Sequence, residues 1–188
     1  MAKTGAKSTA SEDRWHLGQS EKEMAFADFQ YALICLSEAF YRFIGNSLSA
    51  VSGEPNLTGQ DSVILHAVTT MDRPKSITEL QHFTNRTDVS NIQYSVRKLV
   101  GAGLIEKAPK GQGRGTSYRV TKKGRAIIDA HVAARRAVLD EFPDNAGTLE
   151  ERIDNARNLM VIMTGLYDQA SRQLTTKDGG IARTDIKE

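Results

Sequence analysis

The chain has 188 residues, 39% hydrophobic and only 6% aromatic, which suits one domain with an aliphatic, helix-rich core rather than a multi-domain enzyme. Its single cysteine excludes an intrachain disulfide scaffold, its polar N-terminus has no apolar signal-like stretch, and runs such as residues 31–36 fall far short of the ~18 residues a membrane span requires. A cytoplasmic location away from membranes is expected. The net charge of +2 is uneven: from Arg73 to Arg125 there are twelve basic and three acidic side chains, a local +9, while the remainder carries −7. A basic middle between acidic arms suggests a polyanion-binding module inside a differently employed scaffold.

Residues 1–19 are small, polar and aperiodic, and are expected to form a disordered arm. At Ser20, a capping-box pattern with Glu23 opens a helix expected to run to about Ser52. Met24, Phe29, Leu33, Leu36, Phe40, Phe43 and Ile44 recur along it at helical spacings. At ~1.5 Å per residue such a helix outruns one small domain, so part of it is expected to pack on a second chain. After Gly53-Glu54-Pro55, Thr58 caps a second helix to about Met71, with Val63, Ile64, Ala67, Val68 and Met71 buried.

Residues 72–75 read as a connector. Ser76 and Glu79 form another capping box, opening a short helix that buries Ile77, Leu80 and Phe83. A turn at residues 84–86 leads to a helix over residues 88–102 that buries Val89, Ile92, Val96 and Leu99 and ends at Gly103. Two strand-like runs, residues 104–108 and 116–120, flank a glycine-rich hairpin tip. Thr121 caps a helix to about Phe142, and a last helix fills residues 148–174 before a short tail. The fold class is therefore mostly α with a small two-stranded β-wing. A winged helix-turn-helix domain over residues 57–121 lies between helical regions at 20–56 and 122–175, with a flexible tail at 176–188.

In such a domain the second short helix enters a major groove. Its non-core faces carry Ser90, Asn91, Gln93 and Tyr94, types that pair with base edges: Asn and Gln with adenine N6 and N7, Ser with any base. At the hairpin tip, Arg114 sits between two glycines near Lys110, suited to a phosphate or a narrow minor groove. Lys75, Arg97, Lys98 and Lys122 are expected to grip phosphates without reading sequence.

The order of these segments resembles the MarR family of bacterial transcription regulators over about residues 21–174. Residues 98–107, KLVGAGLIEK, and residues 121–124, TKKG, carry the likeness most strongly. The resemblance implies a homodimer built from the first and last two helices, binding double-stranded DNA at a pseudo-palindromic operator as a repressor under small-molecule or oxidant control. It also implies an effector pocket, here placed at Phe40, Ile44, Leu65 and His66, and a redox candidate in Cys35. The wing departs from the family pattern in lacking an acidic residue beside Arg114. The long apolar stripes of the outer helices support the dimer, since one small winged domain could not bury them all.

Two alternatives compete with ligand-controlled DNA binding: a winged helix docking an acidic protein partner, and a Cys35 oxidant sensor. Against the latter, apolar surroundings raise a thiol's pKa and make it inert. His16, His66, His82 and His131 are too scattered for a metal site, and no dinucleotide fingerprint or nucleophile elbow is present, so neither enzymatic activity nor a cofactor is expected.

Overall fold

A computed structural model describes residues 20–109, 115–142 and 149–175. The chain falls into two compact units that divide between Arg136 and Ala137. The first unit opens with α1, Glu21–Ser52, whose N-cap Ser20 accepts a hydrogen bond from the Glu23 N–H and whose end is set by Gly53 in the left-handed region. Only Ala27, Ile44, Gly45 and Leu48 are buried along its 32 residues, and three of these four lie in the C-terminal half, where α1 meets α2.

Helix α2, Gly59–Thr69, begins with a full capping box between Thr58 and Asp61. After a tight turn at Thr70–Asp72 come β1, Lys75–Ser76, then α3, Ile77–Thr84, and α4, Val89–Gly101. Asn85 adopts the left-handed conformation that ends α3, and its amide returns to α3 carbonyls, turning the chain tightly into α4. Asp88 caps α4 by accepting from the Asn91 N–H. Strands β2, Ile105–Lys107, and β3, Ser117–Val120, follow, and then α5, Lys122–Asp140.

The core joins Ile64, Leu65 and Val68 of α2 to Leu80 of α3 and to Ile92, Val96 and Leu99 of α4, with Leu104, Ile105, Ile127 and Ile128 closing it from the sheet and α5. Two glycines permit its closest approaches. A Cβ on Gly59 would strike the Tyr41 carbonyl where α1 crosses α2, and one on Gly124 would strike the Leu104 carbonyl beneath α5. The wing is a three-stranded antiparallel sheet in the order β1-β3-β2, not the expected two-stranded hairpin. The supposed connector supplies the extra strand, pairing Lys75 with Tyr118 and Ser76 with Ser117. Two residues show no periodicity by which a strand could be read.

Three apolar residues expected inside are exposed. Met71 is 74% exposed because the chain leaves α2 through a left-handed residue there. Phe83 is turned out of the core because α3, only eight residues long, buries Leu80 alone. Val89, the first residue of α4, lies at the rim. In the second unit, α6, Leu149–Thr175, displays Ile153, Leu159, Val161, Ile162 and Leu166 without covering them.

Replacing Gly59 or Gly124 by alanine is expected to lower stability by roughly 1–3 kcal/mol through overpacking against backbone that cannot give way. Urea unfolding measures this, and a variant as stable as the parent would contradict the close approaches.

Candidate nucleic-acid interface

Burial of Ile92, Ser95, Val96 and Leu99 fixes which side of α4 faces outward. Ser90, Asn91, Gln93, Tyr94 and Arg97 are all exposed, so the four base-reading candidates are brought together with one cation on one accessible surface. The Tyr94 ring lies under both Arg97 and Lys98, with the guanidinium carbon 5.9 Å and the ammonium 5.6 Å from its centroid, within cation–π range. Asn91 is held before any ligand arrives: its amide donates to the same Asp88 carboxylate that caps the helix. Gln93 and Ser90 have no side-chain hydrogen bond of this kind among the described residues.

Two of the expected phosphate contacts are corrected. Lys75 is only 1% exposed, and its ammonium donates to the carbonyls of Val68, Thr70 and Arg73. It thereby satisfies the orphan acceptors at the end of α2 and cannot reach a duplex. Burial and the neighbouring Arg73 push its pKa down. Lys98 is mostly buried, and its ammonium pairs with Asp61, a carboxylate 1% exposed in the first turn of α2. Burial raises the Asp61 pKa, but hydrogen bonds from Lys98, Ser95 and Thr58 outweigh it and hold the group below its ordinary value.

Other cations of the basic middle are also engaged: Arg73 pairs with Glu79, Arg119 with Glu106 across the sheet, Arg125 with Asp72, and Lys123 with Glu54. Arg97 and Lys122 remain exposed and reach no carboxylate among the described residues. Lys110 and Arg114 lie outside the described residues. Sequence reading missed Arg86, which donates to Gln60 across a cleft of about 710 Å³ between α2 and α4, also lined by Asn56 and Asn91. Its position in the α3–α4 turn was the available signal.

Phe40, Ile44 and His66 line one cavity of about 330 Å³ with Val63, Phe83, His131 and Arg135. Leu65 does not: it is fully buried in the core, on a different face of α2 from its neighbour His66, about 100° around the helix. At the cavity wall the His66 and His131 rings meet edge to face, with centroids 4.9 Å apart, and Ser47 Oγ lies 2.7 Å from His131 Nδ1. Burial, reinforced by His131 and Arg135, lowers the His66 pKa to about 4; burial and Arg135 lower that of His131 as well. Cys35, expected among apolar neighbours, is instead exposed on α1 beside Tyr31, because that stretch of α1 has no partner within its own unit. Among the described residues, no group of three or more His, Cys, Asp or Glu could hold a metal ion, and no helix is long and apolar enough to cross a membrane.

Residues 57–124 match the family of winged helix DNA-binding domains. In fold the chain is similar to the transcriptional regulator BldR from Sulfolobus solfataricus, with 22% identity over 76% of this chain and 99% of that one, at a TM-score of 0.58. It is also similar to CouR from Rhodococcus jostii RHA1, solved bound to p-coumaroyl-CoA, with 16% identity over 76% of this chain and 93% of that one and a TM-score of 0.58. A MarR family transcription regulator aligns with 19% identity over 79% of this chain and 96% of that one, at a TM-score of 0.56. No curated protein sequence matches the chain. The basic middle thus matches a winged helix DNA-binding domain. It is carried in the winged helix-turn-helix fold of MarR-family transcription regulators.

Both cavity histidines have depressed pKa values, so the folded chain resists protonation that the unfolded chain accepts. The stability that depends on neutral His66 is present above about 6.5 and is lost as pH falls through that value towards about 4, and His131 acts in the same direction. Urea midpoints between pH 7.5 and 4.5 should fall more steeply for the parent than for His66→Gln. Superimposable profiles would contradict the burial of a neutral imidazole.

Proposed function

We propose that the chain is a homodimeric, sequence-reading transcription regulator that represses by occupying a pseudo-palindromic operator and is released by a small-molecule effector. The observation that carries the reading is α4, whose apolar stripe is buried while Ser90, Asn91, Gln93, Tyr94 and Arg97 stand exposed together in a winged helix DNA-binding domain. Asn91 and Gln93 read adenine edges, Ser90 and Tyr94 complete the base-facing surface, and Arg97 and Lys122 hold phosphates. Arg114 and Lys110 of the wing add backbone or minor-groove contacts.

A second copy covers the apolar faces that the single chain leaves bare. Ile34 and Phe40 on α1, and Ile162 and Leu166 on α6, are each more than half exposed, which a solitary globular chain would rarely tolerate along two helices. Two-fold pairing then sets two copies of α4 about one DNA turn, roughly 34–36 Å, apart. The effector occupies the cavity around Phe40, His66 and Arg135, where an apolar wall meets a cation suited to a ligand with an acidic group. CouR, of the same fold, was solved with an acyl-CoA bound. The site of action is the cytoplasm, and no cofactor is required.

Selection from random duplexes should recover a palindrome. Its affinity should fall by about 10³–10⁵ between 50 and 200 mM salt if roughly 6–10 phosphates are neutralised. Asn91→Ala or Gln93→Ala should cost roughly 1–3 kcal/mol of discrimination against altered sites, whereas Arg97→Ala should weaken all duplexes together. Recovery of no preferred sequence, with the protein sedimenting as a single chain, would refute the reading.

A further inference from the structure

Beyond the contacts named above, the buried ion pair between α2 and α4 has a consequence for how the groove is read. We infer that Lys98 and Asp61 form a positioning pair that sets the roll and axial register of α4, so that Lys98 governs sequence discrimination without touching DNA. The inference rests on the DNA-reading function just proposed.

Asp61 is immobilised from its own side, since its carboxylate accepts from the Thr58 N–H at 2.8 Å and from the Thr58 hydroxyl at 2.9 Å as part of the α2 capping box. From the other side, the Lys98 ammonium of α4 pairs with this carboxylate, and Ser95, buried three residues earlier on the same helix, helps to hold its pKa down. A directional, charge-assisted bond from α4 to an acceptor fixed on α2 opposes both rotation of α4 about its axis and sliding along it. Leu99 and Ile92, as apolar neighbours, fix the depth of the helix but tolerate small rotations better than directional bonds do.

The same Lys98 ammonium lies above the Tyr94 ring, 5.6 Å from its centroid, and Tyr94 stands in the exposed, base-facing row. The pair therefore reaches the reading surface through one side chain. Were Lys98 to swing out to a phosphate, it would abandon a carboxylate that is 1% exposed, and an uncompensated buried charge is strongly unfavourable. Arg97, its exposed neighbour, has no such tie and is the natural phosphate ligand.

The test measures dissociation constants of the full chain for a duplex selected by the parent and for a scrambled duplex, across 50–200 mM salt, for the parent, Lys98→Gln, Lys98→Arg and Arg97→Gln. For Lys98→Gln the ratio between the two duplexes should fall about tenfold, with the salt slope unchanged, and Lys98→Arg should restore the ratio. Arg97→Gln should instead weaken both duplexes and reduce the slope by about one. Should Lys98→Gln fail to fold, the double variant Asp61→Asn/Lys98→Gln, which removes both buried charges, should show the same loss of ratio. Lys98 variants that flatten the salt slope, or that discriminate as well as the parent, overturn the positioning role while leaving the DNA-reading function standing. A parent that selects no duplex removes that function and the inference with it.

Discussion

Ile92, Val96 and Leu99 recur at intervals of four and three residues, so burying them against α2 and the sheet decides which face of α4 turns outward, leaving only small rotations open. Everything proposed for the outward face follows from that constraint. Arg97 and Gln93 are four residues apart, as are Tyr94 and Ser90, and their common exposure is the geometric complement of the buried stripe. The core that imposes the setting is held by backbone approaches as well as by side chains. Gly59 lets α2 seat against α1, and Gly124 lets α5 seat against the segment leaving α4.

Charge plays a smaller part at the surface than its count suggests. The local excess of +9 is real, yet Lys75 is turned into the end of α2, Lys98 into Asp61, and Arg73, Arg119, Lys123 and Arg125 into carboxylates nearby. Exposed pairs such as Arg73 with Glu79 contribute little to stability and can exchange partners at low cost, so they still contribute to the field that draws a polyanion in. The buried pair is different in kind: its geometry is fixed, and it serves the architecture of the domain.

The helices were legible because their signals are local. Ser20, Thr58, Ser76 and Asp88 each open a helix of the structure, and the apolar periodicities of α1, α4 and α6 appear at the expected positions. The exposure of Ser90, Asn91, Gln93 and Tyr94 was legible for the same reason, as the remainder of a periodic stripe. What could not be read depended on distant segments meeting. Strand β1 exists only because β3 pairs with it, and Lys75 is buried only because three carbonyls converge there. A lysine is assigned to the surface by type, and nothing adjacent to Lys98 marks Asp61 as its partner, 37 positions earlier. The cavity was half legible: Phe40, Ile44 and His66 meet there, whereas Leu65, next to His66 in sequence, faces the core.

Titrating the isotope-labelled protein with its selected duplex, and following backbone amide shifts, tests most directly whether the outward face of α4 meets DNA. The account predicts the largest shifts at Ser90, Asn91, Gln93, Tyr94 and Arg97, fading towards Ile64 and Leu65 at the back of the domain. An undisturbed α4, with shifts gathered around the Phe40 and Val63 cavity instead, would contradict it.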